Sequence, residues 1–425
     1  MIKSHVRPVF FLRRLLALVS VILFVPSFPS MVSAAKIKIK PMASVSGRLD
    51  TNFYKSPGNE REVYTYAVKP GVQFGVETAK SKVLLSYTLE AFFYDDKSDV
   101  PAGEHPADDD NYLGHLAVLD ATYTPARRLT LGLNDSFYIS QNDAEVDRYN
   151  NTVSRDKYWI NRLTPLVFYD FENKFSAGFR YRRTDLDYYD SDYGDCTENR
   201  GIINLLYNPT RTMTFDLDYQ YWTLDYKEGG QEYTSNQLGL TLEKRYHYFS
   251  FGAGVGYHNR SYDDPLIENQ DTIAYKVSIT GQNPPPPETP RSLGEQYIRS
   301  RSHVFLCAER NFNNLGYYYD QYSADRLTLS TGHVFLEKIP VRLKGYYQIM
   351  DYLAYDREDD RYDLSASVGY RFNPRLVLSI TGGREERDSN IDSFDYENKY
   401  LYLSFDFNYD LTSRGGYTEE SSYYR

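Results

Sequence analysis

Lys399 to Leu411 reads Lys-Tyr-Leu-Tyr-Leu-Ser-Phe-Asp-Phe-Asn-Tyr-Asp-Leu. Leu401, Leu403, Phe405, Phe407, Tyr409 and Leu411 share one parity, and Tyr400, Tyr402, Ser404, Asp406, Asn408 and Asp410 share the other. Successive side chains of a strand point to opposite faces, so this stretch is a strand with one apolar and one wet side. The pattern recurs. Val341, Leu343, Tyr347 and Ile349 oppose Arg342, Lys344, Tyr346 and Gln348, and Tyr362 to Phe372, Phe249 to Tyr257 and Val83 to Phe93 alternate likewise.

Alternation alone also fits a half-exposed soluble sheet. Run length separates the two cases. These runs span about 10–14 residues, whereas soluble strands usually have about 5–6 and a tilted membrane strand needs roughly 9–11. Tyrosines mark the run ends, as at Tyr64, Tyr66, Tyr94, Tyr123, Tyr158, Tyr257 and Tyr370. That placement suits the aromatic girdles of a transmembrane barrel. The expected fold is all-β: a transmembrane antiparallel up-and-down β-barrel with its polar parity turned to a lumen.

Composition agrees. The 425 residues include 43 Tyr and 23 Phe but only 2 Cys, and the mean hydropathy is −0.59. So many aromatics argue against a disordered chain. Two cysteines cannot make a disulfide scaffold. Only one apolar run approaches the roughly 20 residues of a membrane helix. It lies at the start, where Lys3, Arg7, Arg13 and Arg14 precede an apolar Leu15 to Phe28 and the small residues Val32-Ser33-Ala34. This is the order of a secretory signal, interrupted by Pro26 and Pro29 and cleaved after Ala34. Residues 1–34 are therefore expected to be a signal peptide, 35–411 the barrel and 412–425 a polar tail. Cleavage removes four basic residues and no acidic one, leaving a chain more acidic than the full-length charge of −10. Such a chain repels nucleic-acid phosphates.

Breaks between strands come in two lengths. Short ones include Thr124 to Arg127, Glu172 to Lys174, Asn208 to Arg211, Glu243 to Arg245, Glu337 to Pro340 and Asn373 to Arg375. Long, mostly acidic ones include Asp95 to Asn111, Gln141 to Lys157, Tyr188 to Asn199, Asn259 to Asp271 and Asp356 to Asp360. Short and long largely alternate, as short periplasmic turns and longer outer loops do. About twelve runs are read forward from the signal to Ile279, and about seven backward from Leu411 to Ser302. An odd total conflicts with the even strand number of bacterial single-chain barrels. Either a strand hides in Leu293 to Arg301, after the four prolines Pro284 to Pro287, or two neighbouring runs merge. The expectation is about 18 strands, with 16 and 20 open. A barrel of that size leaves room for water unless it is plugged.

Three motifs carry a family resemblance. Ser44-Val45-Ser46-Gly47-Arg48-Leu49 runs into Asp50-Thr51-Asn52; Lys69-Pro70-Gly71-Val72 follows; then comes Leu85-Ser86-Tyr87 with Glu90 and Tyr94. They resemble the first strands of the outer-membrane β-barrel porins of the second type, in which the Pro-Gly opens the second strand. The strand-and-loop pattern fits from about Ala43 to Leu411. The resemblance implies an outer-membrane location, a passive channel, no cofactor and no enzymatic activity. Since the family is associated with exopolysaccharide export genes, it also implies contact with polysaccharide and periplasmic export proteins. Lipopolysaccharide and the barrel assembly machinery are the partners of any such barrel. A non-conducting barrel that anchors surface polysaccharide or mediates adhesion is the alternative. Many such barrels end in an aromatic residue; here Phe405, Phe407 and Tyr409 are the candidate assembly signal, ahead of the polar tail.

Candidate lumen residues follow from parity: Glu90, Arg180, Arg182, Asp216, Asp218, Arg342, Lys344, Tyr346, Tyr400, Tyr402 and Asp406. Their charges either set a field that selects solutes or pair across the interior, and the tyrosines could stack on sugar rings. Cys196, placed in an acidic loop, and Cys307, placed in a strand, either pair or remain two thiols. The seven His residues show no metal-ligand spacing, and no Ser/His pair is arranged for nucleophilic attack. Asp108-Asp109-Asp110 and Glu358-Asp359-Asp360 offer oxygen ligands for divalent cations, or are solvated loops.

Overall fold

The computed structural model describes residues 35–407, apart from 142–148, 150–154, 172–173, 190–193, 266, 284–300, 314–320, 354–355 and 374. The expected signal peptide, Tyr409 and the tail after Leu411 lie outside the described residues. The strands are β1 (Lys36–Asp50), β2 (Val63–Glu77), β3 (Ser81–Asp96), β4 (Tyr112–Ala126), β5 (Leu129–Ser140), β6 (Tyr158–Asp170), β7 (Phe175–Tyr188), β8 (Cys196–Thr210) and β9 (Met213–Tyr226). They continue as β10 (Tyr233–Arg245), β11 (Phe249–Tyr262), β12 (Gln270–Asn283), β13 (Ser302–Phe312), β14 (Tyr322–Phe335), β15 (Ile339–Tyr352), β16 (Glu358–Asn373), β17 (Leu376–Ser389) and β18 (Tyr396–Phe407). Each pairs antiparallel with its neighbours in sequence, and β1 also pairs with β18, Val45 facing Phe405. The sheet is thus a closed 18-stranded up-and-down barrel with no free edge, which removes the hazard of unpaired backbone.

Twelve strands precede Asn283, as the forward count expected, but six rather than seven follow it. The barrel closes without a strand in Leu293 to Arg301, of which Arg301 alone is described; its amide donates to the Asn283 carbonyl. All connections at one end, hereafter the turn end, are short except residues 284–301. The opposite, loop end carries the longer connections, of which 51–62, 97–111 and 141–157 are the longest. No helix among the described residues is long and apolar enough to cross a membrane; the crossing is by strands.

The outer wall explains why. Register lines up Leu205, Leu217, Leu240, Val255 and Tyr275 across five strands, all facing outward. Val255 is 56% exposed and its neighbours similarly so. The row is one line of an apolar band far larger than the few hundred Å² that a soluble monomer leaves bare, so lipid must cover it. On β11 the band runs from Phe249 to Tyr257, eight residue steps, or about 20 Å of height for a tilt near 40°. Tyrosines close its loop-end edge with their hydroxyls turned to polar groups: Tyr181 donates to Asn199 at 2.6 Å, Tyr219 to Asn236 at 2.9 Å and Tyr275 to Asp325 at 2.8 Å. Beyond them the outer face turns charged, with Arg183 and Asp185 or Arg384 and Glu386.

Several local expectations change. Tyr94 and Tyr158 are not girdle residues; both are buried inside the barrel, because tyrosines at the loop end fill the mouth on the inward parity as well. Pro70-Gly71 does not open a strand but lies within β2, where Pro70, lacking an N–H, falls in the gap of the β2–β3 ladder between Val68 and Gly71. Glu243 to Arg245 ends β10 and the turn follows it; Asp359 and Asp360 belong to β16; Cys196 begins β8.

Candidate functional site: the lumen

Period-two alternation turns one parity of all eighteen strands inward, so the lumen is the candidate site. Its wall has two zones. On β16 the inward residues Arg371, Ser367 and Ser365 are half-buried, whereas Arg361 and Asp359, nearer the loop end, are buried. On β9, Asp216 and Asp218 are half-buried, and Gln220, Trp222, Leu224 and Tyr226 are buried. Water therefore reaches the wall from the turn end, and the loop end is filled.

Several connections fill it, three of them as follows. From 51–62, the Asn52 amide donates to Asn398 Oδ1 at 3.0 Å and Lys55 Nζ lies 2.9 Å from Glu385 Oε1. Burial pulls the Lys55 ammonium below the usual lysine range, although the Glu385 carboxylate opposes this. From 141–157, Tyr149 is 0% exposed and packs with Tyr322, Ala324, Met350 and Tyr352. In a ring of eighteen, β14 and β15 stand opposite β5 and β6, so through Tyr149 this connection crosses the barrel's width. Its Arg155 lies 3.3 Å over the Phe53 ring, tying it to the first connection. From 313–321, the Asn313 carbonyl accepts from Arg260 Nη2 at 2.7 Å, and Gln321 accepts from the same guanidinium.

Charges in this layer interlock. Glu198 accepts from Arg182 at 2.9 Å and from Arg200 at 2.8 Å, and Arg200 stacks 4.0 Å over Trp222. Asp359 accepts from Arg357, while Arg387 Nε stands 3.9 Å away. Glu385 is shared by Arg361, Lys55 and the Tyr396 hydroxyl. Buried charges persist only when paired and hydrogen-bonded in this way.

The residues singled out by parity do not form one cluster. Arg180 donates to Asn204 at 3.1 Å, and Asn204 donates to Asp216 at 3.0 Å, a relay across β7, β8 and β9. Asp218 accepts from Gln220, and Arg182 belongs to the Glu198 pair. Glu90 lies 3.9 Å from Lys69. A second group lines β15 to β18. Arg342, Lys344 and Tyr346 share the inward face of β15, with Arg326 3.9 Å over the Tyr346 ring. Tyr400 donates to Asp363 at 3.3 Å under the Arg48 guanidinium, Tyr402 is the next inward residue, and Asp406 accepts from Ser44 at 2.6 Å across the β1–β18 seam. Phe405 and Phe407 face outward. Cys196 and Cys307 are both buried and unpaired with each other. No cluster of metal-ligating side chains occurs among the described residues.

The sequence missed Arg361, Glu385, Arg387 and Asp359. Consecutive charges, Arg384 to Arg387, put like residue types on both faces of β17, so parity had no contrast to read. Asp359 was hidden in what read as a loop.

Residues 320–409, from just before β14 to two residues past β18, match the sequence model of a family described as "Putative beta-barrel porin 2". No curated protein matches the chain significantly. Among solved structures, OccK7 (OpdD) of Pseudomonas aeruginosa aligns with a TM-score of 0.48 and 10% identity, over 88% of this chain and 98% of that one. OccAB3 of Acinetobacter baumannii aligns with a TM-score of 0.47 and 10% identity, over 88% and 98%. OccK9 (OpdG) of Pseudomonas aeruginosa gives 0.47 and 11%, over 89% and 99%.

Proposed function

We propose that this chain, a closed outer-membrane barrel that resembles the beta-barrel porin 2 family, is a passive channel whose narrowest part is the layer of inward-folded connections near the loop end. The observation that carries this reading is the graded wall: polar, wetted side chains from the turn end up to Asp363 and Asp218, then a packed layer built on Phe53, Tyr149 and Asn313. A purely structural barrel has no need of a wetted half-lumen. A narrower form of the proposal is export of exopolysaccharide, in company with periplasmic export proteins. Its support is the resemblance of the N-terminal motifs and the inward tyrosines Tyr346, Tyr400 and Tyr402. Insertion by the barrel assembly machinery and packing against lipopolysaccharide belong to the same proposal.

The interlocked Arg182–Glu198–Arg200 and Arg361–Glu385–Lys55 groups favour a second reading, a non-conducting barrel that anchors or displays. Mature protein, residues 35–425, refolded into a planar lipid bilayer distinguishes the two. Steady unitary current is the expected result; a heat-modifiable barrel that never conducts would overturn the channel. Block of the current by polysaccharide fragments would support export, and undisturbed current would remove it.

A further inference from the structure

We propose that the wetted half of the lumen is an anion path, built on a cationic strip of Arg342 and Lys344 on β15 and Arg371 on β16, and that the channel prefers small anionic solutes. The inference rests on the channel reading. All three residues lie on the inward parity, Lys344 exposed to the lumen and the other two half-buried.

Register shows what surrounds them. Arg342 is opposite Gly332 on β14 and Ser367 on β16, and Lys344 is opposite Ser330 and Ser365. Directly opposed residues on one face are nearest neighbours, with Cβ atoms about 4.5–5.5 Å apart. Each cation thus stands between two small, uncharged residues. At Gly332 the small residue is required: a Cβ there would lie 2.5 Å from His303 Cε1 and 3.1 Å from Arg342 Cγ. Glycine lets both side chains lie along the wall.

Two lumen lysines elsewhere are neutralised by a carboxylate directly opposite. Lys82 faces Glu77, with Nζ 3.5 Å from Oε1, and Lys276 faces Glu309 at 3.5 Å. No carboxylate stands directly opposite Lys344 or Arg371. The carboxylate next along the wall, Asp363, is opposite Tyr346 and accepts from Tyr400. Among the described residues neither Lys344 nor Arg371 forms an ion pair. Lys40, also of inward parity on β1 and opposite Gln73, adds positive charge toward the turn-end mouth, whereas Lys36 faces Glu77.

The chain as a whole carries a charge of −10, so whole-chain charge would favour cations. Permeation instead responds to charges that line the path, where low-dielectric walls focus their field. Reversal potential in a tenfold KCl gradient tests this on single channels in a planar bilayer. The wild type is expected to prefer chloride, and the Arg342→Ser/Lys344→Ser double variant to lose roughly threefold or more of its chloride-to-potassium permeability ratio. Arg371→Ser should shift the ratio the same way, and Lys399→Ser, on the outer wall, should not. A potassium-preferring wild type, or a double variant with an unchanged ratio, would overturn the anion path while leaving the channel intact. Absence of any unitary current would overturn the channel itself.

Discussion

Gln348 and Tyr149 are 199 residues apart and are joined by a hydrogen bond: the Gln348 side-chain amide donates to the Tyr149 carbonyl at 3.2 Å. Gln348 is on β15 and Tyr149 on the connection that leaves β5, on the facing wall. The bond pins a connection across the lumen, and on the proposed channel reading it bounds the path.

Tyr149→Ala should widen that path. Removing a fully buried aromatic costs about 3–5 kcal/mol when its surroundings cannot collapse, so the connection should loosen from β14 and β15. Unitary conductance should rise while the heat-modifiable shift of the barrel persists. Unchanged conductance would mean that Tyr149 does not bound the path.

Glu198 holds two guanidinium groups inside the wall. Glu198→Gln leaves Arg182 and Arg200 without their common counter-charge. Breaking a buried pair this way costs ~3–5 kcal/mol. Urea unfolding in detergent, followed by gel mobility, should show a markedly lower midpoint; a midpoint within error of wild type would show the group to be solvated.

Depth on the outer wall should be readable from one strand. Ala253→Arg places a charge in the middle of the apolar band and should cost about 2–4 kcal/mol, whereas Asn259→Arg, six residues nearer the loop end, should cost about 0–1 kcal/mol. Equal losses at the two positions would contradict the placement of the band.

The two thiols should behave as buried and separate. Cys196 and Cys307 are 1% and 3% exposed. Neither should react with a bulky maleimide until the barrel is unfolded, and both should then react without reductant. Modification only after reduction would show a disulfide instead.

Much of the wall is legible in the sequence. Leu401 to Phe407 faced lipid and Tyr400 to Asp406 faced inward as parity required, because alternation is a property of the strand's own backbone. The same logic faltered at Tyr94 and Tyr158. A tyrosine at a strand end serves the girdle when it points out and the filled mouth when it points in, and residue type does not tell the two apart. Cys196 and Asp359 were misplaced for a related reason: strands continue past the apolar band at the loop end, where polar sequence reads as loop.

The all-β class, the face that each alternating strand turns to lipid and the division into short and long connections are written in the sequence, since these depend on periodicity and turn chemistry within a few residues. Tertiary structure alone decided that six strands follow the proline-rich segment, that Val45 meets Phe405 to close the ring, that Tyr149 reaches Gln348, and that Arg342 and Lys344 stand opposite glycine and serine while Lys82 meets Glu77. Each of these is a pairing between distant residues, set by the register and closure of the whole sheet.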